Sequence, residues 1–305
     1  MQPMKLRGII PPMITPLKGN DELDREGTVR LTERLITGGV HAIFLLGTTG
    51  EAQSLTYRLR YEFVELVCRR VAGRIPVLVG VTDTAFVESI RLAEHAARYG
   101  AVGVVAAPPY YFAPSQQELI EYYTALADAL PLPLYLYNMP SHVKVFLEPT
   151  TVKTLAGHPD IVGLKDSSAN MTYFQTLLYH LGDTPDFSLY VGPEELTGEC
   201  VLLGADGGVN GGANIFPELY VGMYDAACRH DIARVRELQH RIMQISTSVY
   251  TVGKYGSSYL KGVKCALSLL GVCDDYLSYP YRKFRAEERA RIRQALETLG
   301  ATCKE

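Results

Sequence analysis

The sequence lacks the charge and hydropathy patterns that would point to nucleic acid or membrane. It has 30 Lys and Arg against 33 Asp and Glu, a formal net charge of −3. Binding to a phosphate backbone or an anionic membrane draws on an excess of basic residues, so neither partner is expected. The longest uncharged stretch, residues 101–117, contains three prolines, which a membrane-spanning helix does not accept.

The spacing of the cysteines does not indicate a disulfide framework or a metal site. The six cysteines are scattered, with no Cys-x-x-Cys and no paired Cys/His pattern. A chain of this length buries roughly three quarters of the surface that its unfolded form exposes, so it needs neither disulfides nor a structural metal, and we expect buried free thiols. The apolar stretch at residues 8–14 is interrupted by Pro11 and Pro12, and such an interruption does not fit the apolar region of a signal peptide. We expect an intracellular, cytoplasmic protein.

Signatures of several enzyme classes are also missing. The chain has no His-x-His, His-Glu-x-x-His or Gly-x-Ser-x-Gly, and its glycine-rich segment 204–212 does not read Gly-x-Gly-x-x-Gly. A metal-dependent hydrolase and a dinucleotide-binding enzyme are therefore not expected. We expect no metal and no organic cofactor.

Eight short apolar runs are present instead. They lie at 9–10, 42–46, 76–81, 102–106, 134–137, 161–164, 188–191 and 207–209. Continuous apolarity is typical of parallel strands that are covered on both faces. Segments with helical period and charged faces lie between the runs, at 24–36, 59–71, 86–99, 116–130 and 171–181.

This alternation predicts an α/β fold, a (β/α)8 TIM barrel over residues 1–225. A doubly wound open sheet usually has fewer strands and carries a glycine fingerprint at its first turn. Residues 226–305 read as a helical C-terminal extension, interrupted by a Gly/Ser/Tyr-rich segment at 250–259. No flexible linker precedes the extension, so we expect it to pack on the barrel.

In such a barrel the reactive groups come from the carboxyl ends of the strands. Lys165 follows the apolar run 161–164. If no carboxylate neutralises its charge, burial favours the neutral amine, which can attack a ketone and form a Schiff base. An ordinary ion pair with Asp166 is the alternative.

Two further strand ends carry suitable groups. The turn Gly47-Thr48-Thr49-Gly50 combines two glycines, two hydroxyls and free backbone amides at an expected helix start, a small cradle for a carboxylate; a simple helix cap is the alternative. Tyr137 ends the fifth run and precedes a Pro-containing turn, which aims its phenol at the barrel mouth. There it is either a proton relay or a half-buried rim residue.

Four ordered motifs resemble those of the dihydrodipicolinate synthase / N-acetylneuraminate lyase family of class I pyruvate-dependent aldolases, and the resemblance extends over essentially the whole chain. They are Gly47-Thr48-Thr49-Gly50-Glu51, Pro109-Tyr110-Tyr111, Tyr137-Asn138-Met139-Pro140-Ser141 and Gly163-Leu164-Lys165-Asp166. The resemblance implies that Lys165 forms the Schiff base with pyruvate or another 2-keto acid and that Tyr137 shuttles the proton.

The same resemblance implies roles for the remaining site residues. Thr48 and Tyr111 complete the proton relay, while Thr49 and the backbone amides beside it, in the turn that Gly47 opens, hold the carboxylate. The backbone of Val209 lines the pyruvate site. In the synthase branch the tyrosine matching Tyr111 reaches in from a neighbouring subunit, which implies a homotetramer built from tight dimers.

Two departures bear on the substrate. Where synthases of the family carry an arginine after the Tyr-Asn-x-Pro motif, this chain has His142, which cannot grip a second carboxylate as a guanidinium does. Lys165 is followed by Asp166-Ser167-Ser168, which looks more like the aldolases for 2-keto-3-deoxy sugar acids. We expect a neutral, hydroxylated aldehyde portion, recognised by Ser167, Ser168, Asn210 and His142.

The sequence therefore predicts a Schiff-base carbon–carbon lyase that acts on a 2-keto-3-deoxy sugar acid or a related 4-hydroxy-2-oxo acid. Three alternatives stay open. The chain could be a dihydrodipicolinate synthase that joins pyruvate and aspartate semialdehyde, or a Schiff-base dehydratase or deaminase of a 2-keto acid. It could also be a barrel that senses a keto acid without turning it over.

Overall fold

Eight parallel strands follow the eight apolar runs in the computed structural model, which describes residues 5–304. In chain order the strands are β1 (Gly8–Ile9), β4 (Ile43–Leu45), β5 (Val77–Gly80), β6 (Gly103–Ala106), β7 (Leu134–Asn138), β8 (Ile161–Asp166), β9 (Ser188–Val191) and β10 (Gly207–Gly208). A small antiparallel hairpin of β2 (Leu17–Gly19) and β3 (Glu22–Leu23) follows β1. All eight predicted strands are confirmed.

The strands pair in the order β1-β10-β9-β8-β7-β6-β5-β4. A parallel bridge between Pro12 and Phe44 joins the two outer strands. There the amide of Phe44 donates to the Pro11 carbonyl at 3.0 Å, and that of Met13 donates to the Phe44 carbonyl at 2.9 Å. The sheet is therefore closed, and the predicted barrel is confirmed.

Twelve helices lie among the described residues. They are α1 (Arg25–Thr37), α2 (Tyr57–Val71), α3 (Phe86–Arg98), α4 (Gln116–Ala129), α5 (Pro140–Val143), α6 (Pro149–Leu155), α7 (Met171–His180), α8 (Thr197–Leu202), α9 (Pro217–Cys228), α10 (Ile232–Ser248), α11 (Ser258–Leu269) and α12 (Ala286–Thr298). Side chains of Asp24, Thr56, Asn170 and Asp231 cap α1, α2, α7 and α10 by accepting from an amide of the first turn, which stabilises the helix starts.

The last barrel helix is α9, which packs against β1 and runs to Cys228, beyond the expected boundary at 225/226. The three helices that follow pack on one another and on the barrel, since Val249, Val263 and Ile292 belong to the same buried core as the barrel strands. The Gly/Ser/Tyr-rich segment forms the connection between α10 and α11. None of the helices in residues 5–304 is long and apolar enough to cross a membrane.

Candidate active site

Lys165 and Tyr137 face each other across two neighbouring strands. They are register partners in β8 and β7, and because side chains alternate along a strand, both point into the barrel. The Lys165 ammonium nitrogen lies 4.1 Å from the centre of the Tyr137 ring and 5.4 Å from that of Phe44. The lysine is only 7% exposed, so its amino group sits against aromatic rings rather than in water.

The alternative ion pair between Lys165 and Asp166 does not form. Asp166 accepts hydrogen bonds from Asn138 Nδ2 at 2.8 Å, from Ser168 Oγ at 2.9 Å and from the Ser168 amide at 3.0 Å. Burial raises the pKa of Asp166. Within the described part of the chain, no carboxylate lies within 4.0 Å of Lys165, which favours an amine available for chemistry.

The turn from Gly47 to Gly50 is held in a strained backbone. The residues on either side, Leu46 and Glu51, have φ of +58° and +55°, a region that non-glycine residues rarely occupy. The amide of Gly50 donates to the Gly47 carbonyl at 3.0 Å. The amides of Thr48 and Thr49 donate to no acceptor among residues 5–304, which leaves two donors free for an anion.

The expected helix start directly after this turn is wrong. A short 3-10 turn over Ala52–Ser54 follows it, and α2 begins only at Tyr57. The amides that are available to an anion here therefore belong to the turn and not to a helix terminus. Gly47 itself is required here because a Cβ would lie 2.7 Å from the Phe44 ring.

Two hydroxyl pairs connect the turn to the rest of the site. Thr48 Oγ1 lies 3.3 Å from the Tyr137 hydroxyl, and Thr49 Oγ1 lies 3.2 Å from that of Tyr259. Tyr111 is not part of this arrangement in the single chain. It is 82% exposed and packs edge-to-face on Phe112.

A cavity of about 380 Å³ opens above these residues. Of the predicted site residues, its lining includes Gly47, Thr48, Thr49, Tyr137 and His142. A much smaller void of about 10 Å³ lies inside the barrel, lined among others by Lys165 and Val209. Lys165 and Val209 do not line the larger cavity, but Phe44 lines both spaces. Tyr137, whose ring centre lies 4.1 Å from the Lys165 nitrogen, lines the larger one.

Ser167 and Asn210 lie outside the lining of either space. The Ser167 hydroxyl packs against Gly192, where an added Cβ would lie 2.0 Å from it. Asn210 is fully buried, and its Nδ2 donates to the Gly192 carbonyl at 3.4 Å. Their predicted contact with the aldehyde stays a prediction.

The cavity carries little charge. Its two ionisable groups outside the tyrosines are His142 and Glu51, with no lysine or arginine in the lining. Burial, and then the charge of Lys165, lowers the pKa of His142. Glu51 forms an ion pair with Lys264 of α11, and both side chains are buried. No cluster of three His, Cys, Asp or Glu side chains in residues 5–304 could hold a metal ion.

Sequence reasoning missed the contribution of the helical extension. The cavity is lined on one side by Gly256, Ser257, Tyr259, Leu260 and Tyr281. Glu194 lies shortly after β9, and the sequence did not predict its surroundings: it accepts hydrogen bonds from Tyr220, Tyr250 and the Gly212 amide. The Gly/Ser/Tyr-rich interruption at 250–259 was the signal that this segment differs from an ordinary helical connection.

Comparisons with known proteins agree with this geometry. Residues 5–299 match the model of the dihydrodipicolinate synthetase family. A 4-hydroxy-tetrahydrodipicolinate synthase of Methanopyrus kandleri is 32% identical, with 97% of each chain covered. A probable 2-dehydro-3-deoxy-D-pentonate aldolase of Escherichia coli is 31% identical, covering 97% of this chain and 98% of its own.

Solved structures give the same result. A dihydrodipicolinate synthase from Bacteroides thetaiotaomicron superposes with a TM-score of 0.94 at 59% identity, covering 96% of this chain and 98% of the other. The family resemblance and the enzyme class expected from the motifs are confirmed. The chain belongs to the dihydrodipicolinate synthetase family, whose members are carbon–carbon lyases of the class I aldolase type.

Proposed function

We propose that the protein cleaves a 2-keto-3-deoxy sugar acid, or a related 4-hydroxy-2-oxo acid, to pyruvate and an aldehyde through a Schiff base on Lys165. The observation that carries the proposal is the position of this amine. It is buried, lies 4.1 Å from the Tyr137 ring centre and has no carboxylate partner within residues 5–304.

The reaction begins when the Lys165 nitrogen attacks the C2 ketone and the resulting carbinolamine loses water, which gives an iminium. The C3–C4 bond then breaks, and its electron pair moves into an enamine conjugated with that nitrogen. Tyr137 accepts the proton of the C4 hydroxyl as the aldehyde forms, while its own proton passes to Thr48 across 3.3 Å and the threonine hydroxyl releases its proton to the next member of the relay, Tyr111 of a second copy of the chain. The relay returns one proton for the step at C3. Protonation at C3 and hydrolysis of the iminium release pyruvate.

The substrate carboxylate is assigned to the turn that Gly47 opens. The free amides of Thr48 and Thr49 are donors already fixed by the strained backbone, and the Thr49 hydroxyl is a third donor beside them. Donors held in place before binding lose little freedom when an anion arrives.

Three observations support a neutral aldehyde portion. The cavity lining contains no lysine or arginine, its one acid other than tyrosine is Glu51, and that acid is paired with Lys264. A phosphate or a second carboxylate on the aldehyde portion would thus find no permanently charged side chain in the cavity lining to bind it. Gln53, Ser54 and Ser257 line the cavity, and together with His142 they offer hydrogen bonds to sugar hydroxyls.

The relay is completed by a second copy of the chain. Tyr111 is 82% exposed beside Phe112, itself 83% exposed, a pair of aromatic rings that favours burial against a partner. We propose that Tyr111 enters the neighbouring subunit's site and that the protein is a homotetramer of tight dimers.

Dihydrodipicolinate synthesis is the second candidate. Its support is the 59% identity to the Bacteroides thetaiotaomicron protein described as a dihydrodipicolinate synthase. Aspartate semialdehyde brings a second carboxylate, however. His142 lines the cavity, and the family resemblance implies an arginine at this point of the sequence in a synthase.

Borohydride reduction with pyruvate, followed by peptide mass mapping, tests the chemistry. We expect one pyruvyl adduct on Lys165 and none in Lys165→Ala. Lys144→Asn, which changes an exposed lysine near the site in a left-handed conformation that asparagine accepts, should be labelled like the wild type. Labelling that persists in Lys165→Ala would overturn the proposal.

A substrate panel then separates the two candidates. The sugar acids in the panel, all 2-keto-3-deoxy acids, are assayed for the release of pyruvate. Aspartate semialdehyde is assayed together with pyruvate for condensation. A kcat/KM at least tenfold higher for a sugar acid supports the aldolase. A higher value for aspartate semialdehyde, or for a phosphorylated sugar acid, contradicts the neutral aldehyde site.

A further inference from the structure

One hydroxyl group of the helical extension contacts the turn that Gly47 opens. Tyr259 belongs to α11, yet its hydroxyl lies 3.2 Å from Thr49 Oγ1 and its side chain lines the cavity. Burial raises the pKa of Tyr259, so the phenol stays neutral and can donate its proton. Thr49 is only 6% exposed, so little water is available to replace Tyr259 as the partner of its hydroxyl.

Two glycines leave room for this hydroxyl and its neighbours. A Cβ on Gly211 would lie 1.5 Å from the Tyr259 hydroxyl, and one on Gly212 would lie 1.9 Å from that of Tyr220. No larger residue fits either position without moving a tyrosine. The backbone after β10 thus lies directly against the hydroxyl groups.

The Tyr259 ring packs against the ring of Tyr250. Its centre lies 4.8 Å from that of Tyr250 in an edge-to-face arrangement, a geometry that aromatic pairs favour. Tyr250 in turn donates to Glu194 at 2.6 Å, and Gly212 donates to the same carboxyl group at 2.8 Å. Tyr259 is therefore fixed by a buried hydrogen-bonded cluster.

We infer that Tyr259 is a positioning residue for Thr49, holding the threonine hydroxyl in the orientation that receives the substrate carboxylate. The inference rests on the proposed function, because it requires a 2-oxo acid in this turn. Without the tyrosine hydroxyl, Thr49 can rotate, and binding of the carboxylate must then order it. The loss falls on binding of the keto acid rather than on the chemical step.

The test measures the pyruvate concentration that gives half-maximal borohydride trapping, which requires no knowledge of the aldehyde. Tyr259→Phe keeps the ring and removes the hydroxyl. We expect its half-saturating concentration to rise about tenfold, the usual effect of one lost hydrogen bond, while trapping at saturating pyruvate stays complete. Tyr255→Phe is the matched control, since Tyr255 lies in the same segment, is 78% exposed and does not line the cavity.

A double variant tests whether Tyr259 acts through Thr49. Thr49→Val removes the hydroxyl at nearly constant volume and should also weaken pyruvate binding. If the tyrosine acts through the threonine, Tyr259→Phe adds less than about twofold in the Thr49→Val background. Losses that multiply, or an unchanged half-saturating concentration in either single variant, would overturn the inference. Absence of trapping in the wild type would instead overturn the proposed function.

Discussion

Tyr137 and Lys165 are register partners on adjacent parallel strands, and the next pair in register, Asn138 and Asp166, is joined by a hydrogen bond of 2.8 Å. The first pair points into the barrel and the second points outward. The outer hydrogen bond fixes the relative position of the two strand ends. The spacing between the inner amine and phenol is therefore set by the sheet rather than by flexible loops, which favours precise catalytic geometry.

Tyr137→Phe should separate Schiff-base formation from bond cleavage. The phenylalanine ring keeps the packing beside Lys165 but cannot accept the C4 hydroxyl proton. We expect kcat for sugar acid cleavage to fall about 10²- to 10⁴-fold, while borohydride trapping of pyruvate at long incubation remains complete. Steady-state kinetics and mass spectrometry measure the two quantities. A kcat close to that of the wild type would remove Tyr137 from the mechanism.

His142→Arg should shift the selectivity of the site. The substitution places a permanent cation with several donors in a cavity that otherwise has none. We expect kcat/KM for aspartate semialdehyde to rise about tenfold relative to that for the neutral sugar acid, in line with one added charge-assisted hydrogen bond. His142→Gln keeps a hydrogen-bonding side chain without the charge and is the control. Equal selectivity in the two variants would contradict the argument from charge.

Lys264→Met should destabilise the fold. The substitution removes one member of a buried pair, since Lys264 and Glu51 have side chains that are 0% and 2% exposed. A charge left without its partner costs about 3 to 5 kcal/mol. Arg91→Met breaks an exposed pair with Glu88 and should cost less than about 1 kcal/mol. Urea unfolding compares the two, and equal losses would contradict the structural role of the buried pair.

The buried carboxyl group of Glu194 predicts a pH-dependent stability. Burial raises its pKa from 4.5 to about 7. Between these values the folded state keeps a proton that the unfolded state has lost, so the free energy of unfolding falls as pH rises through this window. The contribution amounts to about 3 kcal/mol and is lost above pH 7.

Glu194→Gln isolates this contribution. Glutamine cannot ionise. Its amide nitrogen is itself a donor and faces one of the three donors around the carboxyl group, so the variant is less stable at every pH. We expect the free energy of unfolding of the wild type to fall by about 3 kcal/mol more than that of the variant between pH 5 and pH 8. Chemical denaturation at both pH values measures the difference. Parallel losses in the two proteins would show that Glu194 is not responsible.

The barrel and its reactive strand ends could be predicted because they depend on local patterns. Each strand is a short apolar run, and Lys165 stands at the end of one such run. The position of Thr48 beside Tyr137 follows once two strand ends are brought to the same face of the barrel.

The partners of the turn could not be predicted in this way. Tyr259 and Thr49 lie 210 positions apart, and the extension reads only as helices with charged faces. Which helix face returns to which strand end depends on three-dimensional packing that no short pattern contains. The environment of Glu194 is unpredictable for the same reason, since one of its hydroxyl donors comes from α9 and the other from the connection between α10 and α11.

The pairing of Thr49 with Tyr259 and of Glu51 with Lys264 also bears on synthesis of the chain. The turn is synthesised long before the residues that restrain it, since Thr49 and Tyr259 lie 210 positions apart. The last barrel strand ends at Gly208, so a nascent chain can form its sheet before α11 contacts the turn that Gly47 opens. Under the proposed function, the turn is therefore expected to bind a keto acid only after α11 has docked, and a product that ends before this helix should form the sheet without binding pyruvate.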